Sequence, residues 1–453
     1  MASDTKSAEM LHDIAGATAD DASVRKEPTT MAIGKELPPL LRHLSPEELK
    51  ALEKRLVRKI DFRLLPAMIL IYIMNYLDRN AIGSARLGGL EDDLGLVGDQ
   101  FQLTSESSGF VEAAFYPGAL ATLSAWYVRD ELGVRTGLFY SGSMLSGAFS
   151  GLIAAGITNG MDGVRGLLAW RWLFIIEGSI TVAIALSAMF VLPDFPANTK
   201  WLTDQERELA MWRLEADAAG EEDWTSSSAQ PLWDGFRMIV RDPKNWILTV
   251  IVYGAASAIS INSFFPTVVA SFGRDRITTL FLTAPPYLFA CIVCAGVSFS
   301  ADHFQERYWH TVTSLAMSLV GFIISAAATG IGPRYFGAMI MLPGIYTGFN
   351  MAMVWTANTM YRPAAKRAAA VAFVNAVSTL CSIYGAYLYP NGAEPRFVIA
   401  FSVNAAMAIM AIIASTVLQF VLKRENRKLE LKEQEAEWAG EPDTVGKGYR
   451  YLC

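Results

Sequence analysis

LLPAMILIYIMNYLDRNAIGSA, residues 64–85, decides the fold. Its apolar part, residues 64–77, is too short to cross a hydrocarbon core about 30 Å thick, which takes about 20 helical residues rising about 1.5 Å each. The helix therefore has to continue through LDRNAIGSA and carry Asp78 and Arg79 with it. An ionisable residue so placed faces a partner or a water-filled cavity. Three readings stand: Asp78 pairs with Arg79 or a neighbour, it binds a charged substrate, or both residues lie at the outer interface.

The rest of the chain repeats this character. It has 453 residues, is 52% hydrophobic and 18% charged, and has a mean hydropathy of +0.29, which marks an all-α polytopic membrane protein. Ten segments are long and apolar enough to span: 62–84, 110–128, 136–157, 169–192, 246–270, 277–299, 310–331, 335–358, 368–389 and 397–421. With the N-terminus placed in the cytoplasm, the inner loops hold roughly two dozen Lys and Arg against about six outside, so both termini are expected to be cytoplasmic.

The chain divides into a polar N-terminal region at 1–57, a front helical half of four spans at 58–192, a central loop at 193–245, a back half of six spans at 246–422 and a tail at 423–453. In the central loop, TKWLTDQERELAMWRLEAD predicts a helix with Thr203 as its cap and Glu206 closing a capping box.

Within the spans, VEAAFYPG sets Glu112 beside Tyr116, Pro117 and Gly118, which break helical hydrogen bonding. Glu112 is either interfacial or a proton carrier at a broken helix. Glu177 in WRWLFIIEGSITVAIAL lies deeper, as a proton or substrate group or as a carboxylate bonded between packed helices. LTAPPYLFA places Pro285 and Pro286 in a span, as a kink or as a break that frees carbonyls into a cavity.

Gly142, Gly147 and Gly151 permit close helix approach. Asn262, Asn350, Trp355 and Asn375 add neutral polar groups that act as interhelical glue singly or line a cavity together.

Several classes of function are excluded or disfavoured. There is no GxxxxGK[ST], HExxH or GxSxG, so an ATP-driven pump and a membrane enzyme are not expected. The cysteines have neither disulfide nor metal-site spacing, no basic stripe suggests nucleic acid, and no cofactor is implied. A two-part bundle with interrupted helices and a few buried charges reads as a secondary transporter.

Particular strings point further. LLPAMILIYIMNYLDRNAIGSARLGGLEDDLGL, VEAAFYPG, WYVRDELGVRTGLFYSGSMLSGAFSGLIAAGI, AWRWLFIIEG, SFFPTVVASFG, WTANTMYRPAAKRA and the closing GYRYL resemble the fungal branch of the anion:cation symporter family, within the major facilitator superfamily. That resemblance implies a plasma-membrane importer in which two six-helix halves alternate access to a central cavity. The implied cargo is a small organic anion, such as a carboxylate, a vitamin or an allantoate-like nitrogen compound, carried with protons. By position, Asp78 and Arg79 match the family's charged pair on the first helix, Glu112 its fourth-helix carboxylate, and Asp302 with Arg307 a gating motif.

The departure from the family pattern is local. After FQLTS the family continues into a second and third helix, whereas this chain passes through ESSG directly to FVEAAFYPG. Two spans, about 60 residues with their loop, are expected to be missing. The family's arginine seven residues before the glutamate falls at Ser105. A non-transporting product, or a sensor-like relative that only binds ligand, is the alternative.

Overall fold

The computed structural model describes residues 37–96, 100–101, 115–219, 232–360, 364–389, 396–439 and 450–452. Every element among these is helical. The front group contains α1 (Pro46–Leu87), the short α2 (Leu90–Leu94), α3 (Phe115–Ser124), α4 (Arg129–Met161) and α5 (Ala169–Val191). The connection carries α6 (Asp204–Ala219) and α7 (Leu232–Arg241). The back group is α8 (Pro243–Ile259), α9 (Phe265–Ala270), α10 (Arg276–His303), α11 (Tyr308–Ala327), α12 (Ile331–Thr359), α13 (Ala364–Thr379), α14 (Cys381–Gly385) and α15 (Val398–Ala439).

Nine helices among the described residues are long and apolar enough to cross a membrane. The tenth expected span, 110–128, is represented by α3 alone, and Glu112 lies outside the described residues. Pro117 lies within α3.

α1 shows how the sequence makes its helix. Ser45 caps it and Glu48 returns the bond to the Ser45 N–H at 2.9 Å, while Pro46 occupies a first-turn position that needs no donor. Leu56, Ile60, Leu64, Met68 and Tyr72 then recur every fourth residue and are all buried. The helix continues unbroken past Asp78 and Arg79, as the short apolar run requires.

α1 packs on α4 and α5, and in the back group α8 packs on α12, α13 and α15. α4 and α10 form the main joint between the groups. Their approach is close because an added Cβ on Gly147 would lie 2.6 Å from the Tyr287 ring, and one on Gly151 would lie 2.8 Å from the Leu280 carbonyl.

Two expectations about helix breaks need correction. Pro285 and Pro286 do not interrupt α10, which runs through both. The Leu282 carbonyl, four residues before Pro286, accepts instead from the Tyr335 hydroxyl of α12 at 3.1 Å, so this carbonyl stays satisfied without the proline donor.

The expected single span 246–270 is the one that breaks. It changes to a tighter 3-10 turn over Ser260–Phe264 before α9 restarts with Pro266 in its first turn. The Ser260 Cβ lies 2.5 Å from where a side chain on Gly385 would begin, so this turn is pressed against the end of α14.

Candidate functional site

The broken turn carries Asn262 into the interior. Its amide nitrogen donates to the Tyr346 hydroxyl at 2.6 Å, and its carbonyl oxygen accepts from the Tyr287 hydroxyl at 3.4 Å. One asparagine therefore joins the turn after α8 to α10 and α12. Asn350 lies one helical turn beyond Tyr346 on α12 and donates to Ser298 Oγ at 3.4 Å. A second polar chain crosses the back group: Tyr384 donates to Ser257, Ser257 to Asn404, and the Asn404 amide to Tyr389, at 2.7, 3.2 and 3.1 Å.

The front group holds the acids. Asp78 on α1 accepts from the Thr181 hydroxyl of α5 at 3.1 Å. One turn before Thr181, Glu177 is only 1% exposed. Neither of its carboxylate oxygens has a hydrogen-bond partner among the described residues, and Asp78 bonds the residue one turn from it. The sequence reading in which a neighbouring helix bonds Glu177 has no partner to supply it among the described residues. Arg79, the adjoining cation, has no hydrogen bond or ion pair to a described residue.

Other expected site residues fall elsewhere. Trp355 is fully buried, and its indole N–H is committed to the Leu452 carbonyl at 3.1 Å, at the end of the bundle that carries the tail. Asn375 is half-buried on α13 and makes no hydrogen bond to the Asn262 group. Arg307 donates to Asp302 at 2.5 Å across the turn joining α10 to α11, so it links helices already adjacent in sequence. Tyr116 lies within α3.

Eight residues of these networks were not signalled as site residues: Tyr287, Tyr346, Ser298, Thr181, Tyr384, Ser257, Asn404 and Tyr389. Two had a readable cue. Tyr346 precedes Asn350 by four residues and Thr181 follows Glu177 by four, the helical spacing that places side chains on one face.

The sequence profile described as Major Facilitator Superfamily matches residues 107–386. The chain is 30% identical to the "MFS-type transporter cnsO" of Penicillium expansum, over 83% of this chain and 85% of that protein. It is 26% identical to the "Major facilitator-type transporter hxnP" of Emericella nidulans, over 86% and 90%. The Penicillium alignment runs 446 positions, whereas 83% of 453 residues is about 376, so about 70 aligned positions fall opposite nothing in this chain.

Among solved structures, the inward-facing bacterial homolog of the human lysosomal transporter Spinster superposes with a TM-score of 0.54 at 14% identity, over 78% of this chain and 95% of that one. The proton:xylose symporter XylE gives 0.54 at 13% identity, over 82% and 86%. Both likenesses speak to fold alone. The transporter relatives support a secondary transporter. With a matching profile over more than half its length and a near-full-length relative at 30% identity, this multi-pass membrane chain belongs to the Major Facilitator Superfamily.

Proposed function

We propose that the chain derives from a proton-coupled importer of a small organic anion, in which Asp78 and Glu177 form the proton-carrying pair. The carrying observation is Glu177, buried with both carboxylate oxygens unpartnered among the described residues, one turn from the Thr181 that bonds a second acid, Asp78. Among the described residues no cation pairs with a carboxylate charge there, which is costly in a membrane, so the group serves as a proton carrier. Thr181 orients Asp78 toward the same space. A pair of acids on neighbouring spans holds a proton between them, and alternating access would open that pair to water on one side at a time.

Arg79 supplies a cation next to Asp78, and Asn262, Tyr346 and Asn350 supply neutral donors, a set that suits a small carboxylate, vitamin or allantoate-like anion. Cytoplasmic termini rest on the loop charge bias, and a plasma-membrane location rests on the family resemblance. The test is uptake of labelled carboxylates, under a pH gradient, into proteoliposomes holding the chain with its two front spans restored, which serves as the parent. Glu177→Gln is expected to lose protonophore-sensitive accumulation while keeping anion exchange. Accumulation equal to the parent would remove Glu177 from the proton path.

The given chain is also read as lacking two spans of its front half. The family profile match begins at residue 107, inside the seam expected at 104–111, and the Penicillium alignment leaves about 70 positions unmatched. α5 agrees with this reading: only 6% of its apolar window is buried in the bundle. Transport is therefore assigned to a chain carrying the restored helices, and the present form is read as a non-transporting product. Uptake by the present form at the restored chain's rate would overturn that assignment.

A further inference from the structure

Arg450, Tyr451 and Leu452 return to the end of the bundle where α8 starts and α12 ends, and each is held by a different device. Arg450 donates to both carboxylate oxygens of Glu433 on α15, at 2.9 and 2.6 Å, the forked geometry that a lysine cannot reproduce. The backbone of Tyr451 is read twice by one side chain. Asn426 Oδ1 accepts from its N–H at 2.8 Å, and Asn426 Nδ2 donates to its carbonyl at 2.9 Å. This amide offers the two bonds that a neighbouring strand would offer.

The Tyr451 ring lies 4.7 Å from the Lys244 ammonium of α8, which also donates to its hydroxyl at 3.1 Å. The Leu452 carbonyl takes the indole N–H of Trp355, a fully buried donor on α12 that needs an acceptor. Three helices thus contribute side chains to one short peptide. Simple collapse of a tail onto a bundle buries side chains, but it does not satisfy both polar groups of one backbone residue with a single amide.

We infer that Lys244, Trp355, Asn426 and Glu433 form a peptide receptor selective for an Arg-Tyr pair, occupied by the chain's own tail, whose docking ties the ends of α8, α12 and α15 together. Position 450 is read through its guanidinium and position 451 through its ring and backbone. Position 452 is read through its carbonyl alone, so its side chain carries little of the selectivity. Nothing in this inference depends on transport, and it stands or falls separately from the proton-pair reading.

Chymotrypsin cleavage of the Tyr451–Leu452 bond in the full chain, in detergent and followed by mass spectrometry, tests it. The protease must take the Tyr451 ring into its own pocket, so it cuts only the undocked tail, and its rate follows the undocked population. Asn426→Ala and Arg450→Glu should each speed cleavage about tenfold, the loss expected for a well-formed or charge-assisted hydrogen bond. Arg450→Glu combined with Glu433→Arg should return the rate to within about threefold of the parent, and Leu452→Ala should change it less than about threefold. Parent-like rates in both Asn426→Ala and Arg450→Glu would overturn the receptor. So would a double exchange that restores nothing.

Discussion

The Tyr335 hydroxyl of α12 donates to the Leu282 carbonyl of α10 at 3.1 Å, the acceptor that Pro286 leaves without an intrahelical donor. A proline pair in a spanning helix is tolerable only when the freed carbonyls find other donors. Tyr335→Phe should therefore lower thermal stability in detergent by about 0.5–1.5 kcal/mol. Pro286→Ala gives the carbonyl back a helical donor, so Tyr335→Phe should cost clearly less in that background. Equal costs in the two backgrounds would show that the hydroxyl does not replace the proline donor.

At the joint between the groups, a Cβ on Gly151 would meet the Leu280 carbonyl at 2.8 Å, and that atom is backbone, which cannot swing aside. Gly151→Ala is expected to destabilise by about 1–3 kcal/mol through overpacking. Gly156 lies on the same helix with open space around its missing side chain. Gly156→Ala should be neutral or stabilising by up to about 1 kcal/mol, through the unfolded chain. Melting curves of the two variants, measured side by side, separate helix propensity from packing.

How much of this was legible depends on the range of the interaction. The continuity of α1 through Asp78 followed from the shortness of one apolar run. The capping box at Thr203 and Glu206 was readable because its parts are three residues apart, and both of its bonds are present, at 3.0 and 3.3 Å. Asn262 and Tyr346, by contrast, lie 84 residues apart, and no periodicity relates them. The double proline left a kink and a break open, because its effect turns on a hydroxyl about 50 residues further along. Trp355 looked like a cavity residue because nothing local shows that its N–H is taken by a carbonyl 97 residues away.

Arg213 of α6 is buried between two acids, 2.8 Å from Glu53 of α1 and 2.5 Å from Glu131 of α4. It therefore anchors the connecting helix to the front group. Arg213→Met should cost about 3–5 kcal/mol, because it removes the buried cation that both carboxylates share. Arg213→Lys should recover only part of that, since a point charge cannot serve two separated acids with a planar fork. Limited proteolysis of α6 in the two variants reads the difference: release of this helix is expected for Met and partial release for Lys.

Glu206 gives the same end of the molecule a pH dependence. Burial alone would raise its carboxyl, but the Lys59 ammonium at 2.6 Å and the Thr203 donors hold it below the usual glutamate range. A depressed acid stabilises the folded state above its unfolded value. That stability is lost as pH falls from the ordinary glutamate value of about 4.3 through the lower folded one. Glu206→Gln should therefore lower stability at pH 7 by about 1 kcal/mol, from lost capping and pairing, and should flatten the acid limb of the stability curve. Unfolding midpoints at pH 7 and pH 4 test this, and an unchanged acid limb would remove Glu206 as its source.

The seam at residues 104–111 makes a prediction about the message rather than the molecule. Removing two consecutive spans preserves the direction of every later helix, so the loop charge bias carries no trace of it. Packing would carry one, because on the reading that two spans are missing, faces that pair with helices in the longer form would meet lipid; the small buried share of α5, 6% of its apolar window, agrees with that reading. Sequencing the native transcript across these codons is expected to return a longer form encoding about 60 more residues, enough for two spans and a loop. Expressed side by side, the longer form should accumulate in the membrane and take up anion, whereas the shorter should be degraded or inert. A native message that matches the present sequence, together with uptake by its product, would mean that the front group works with four spans and that α5 faces lipid by design.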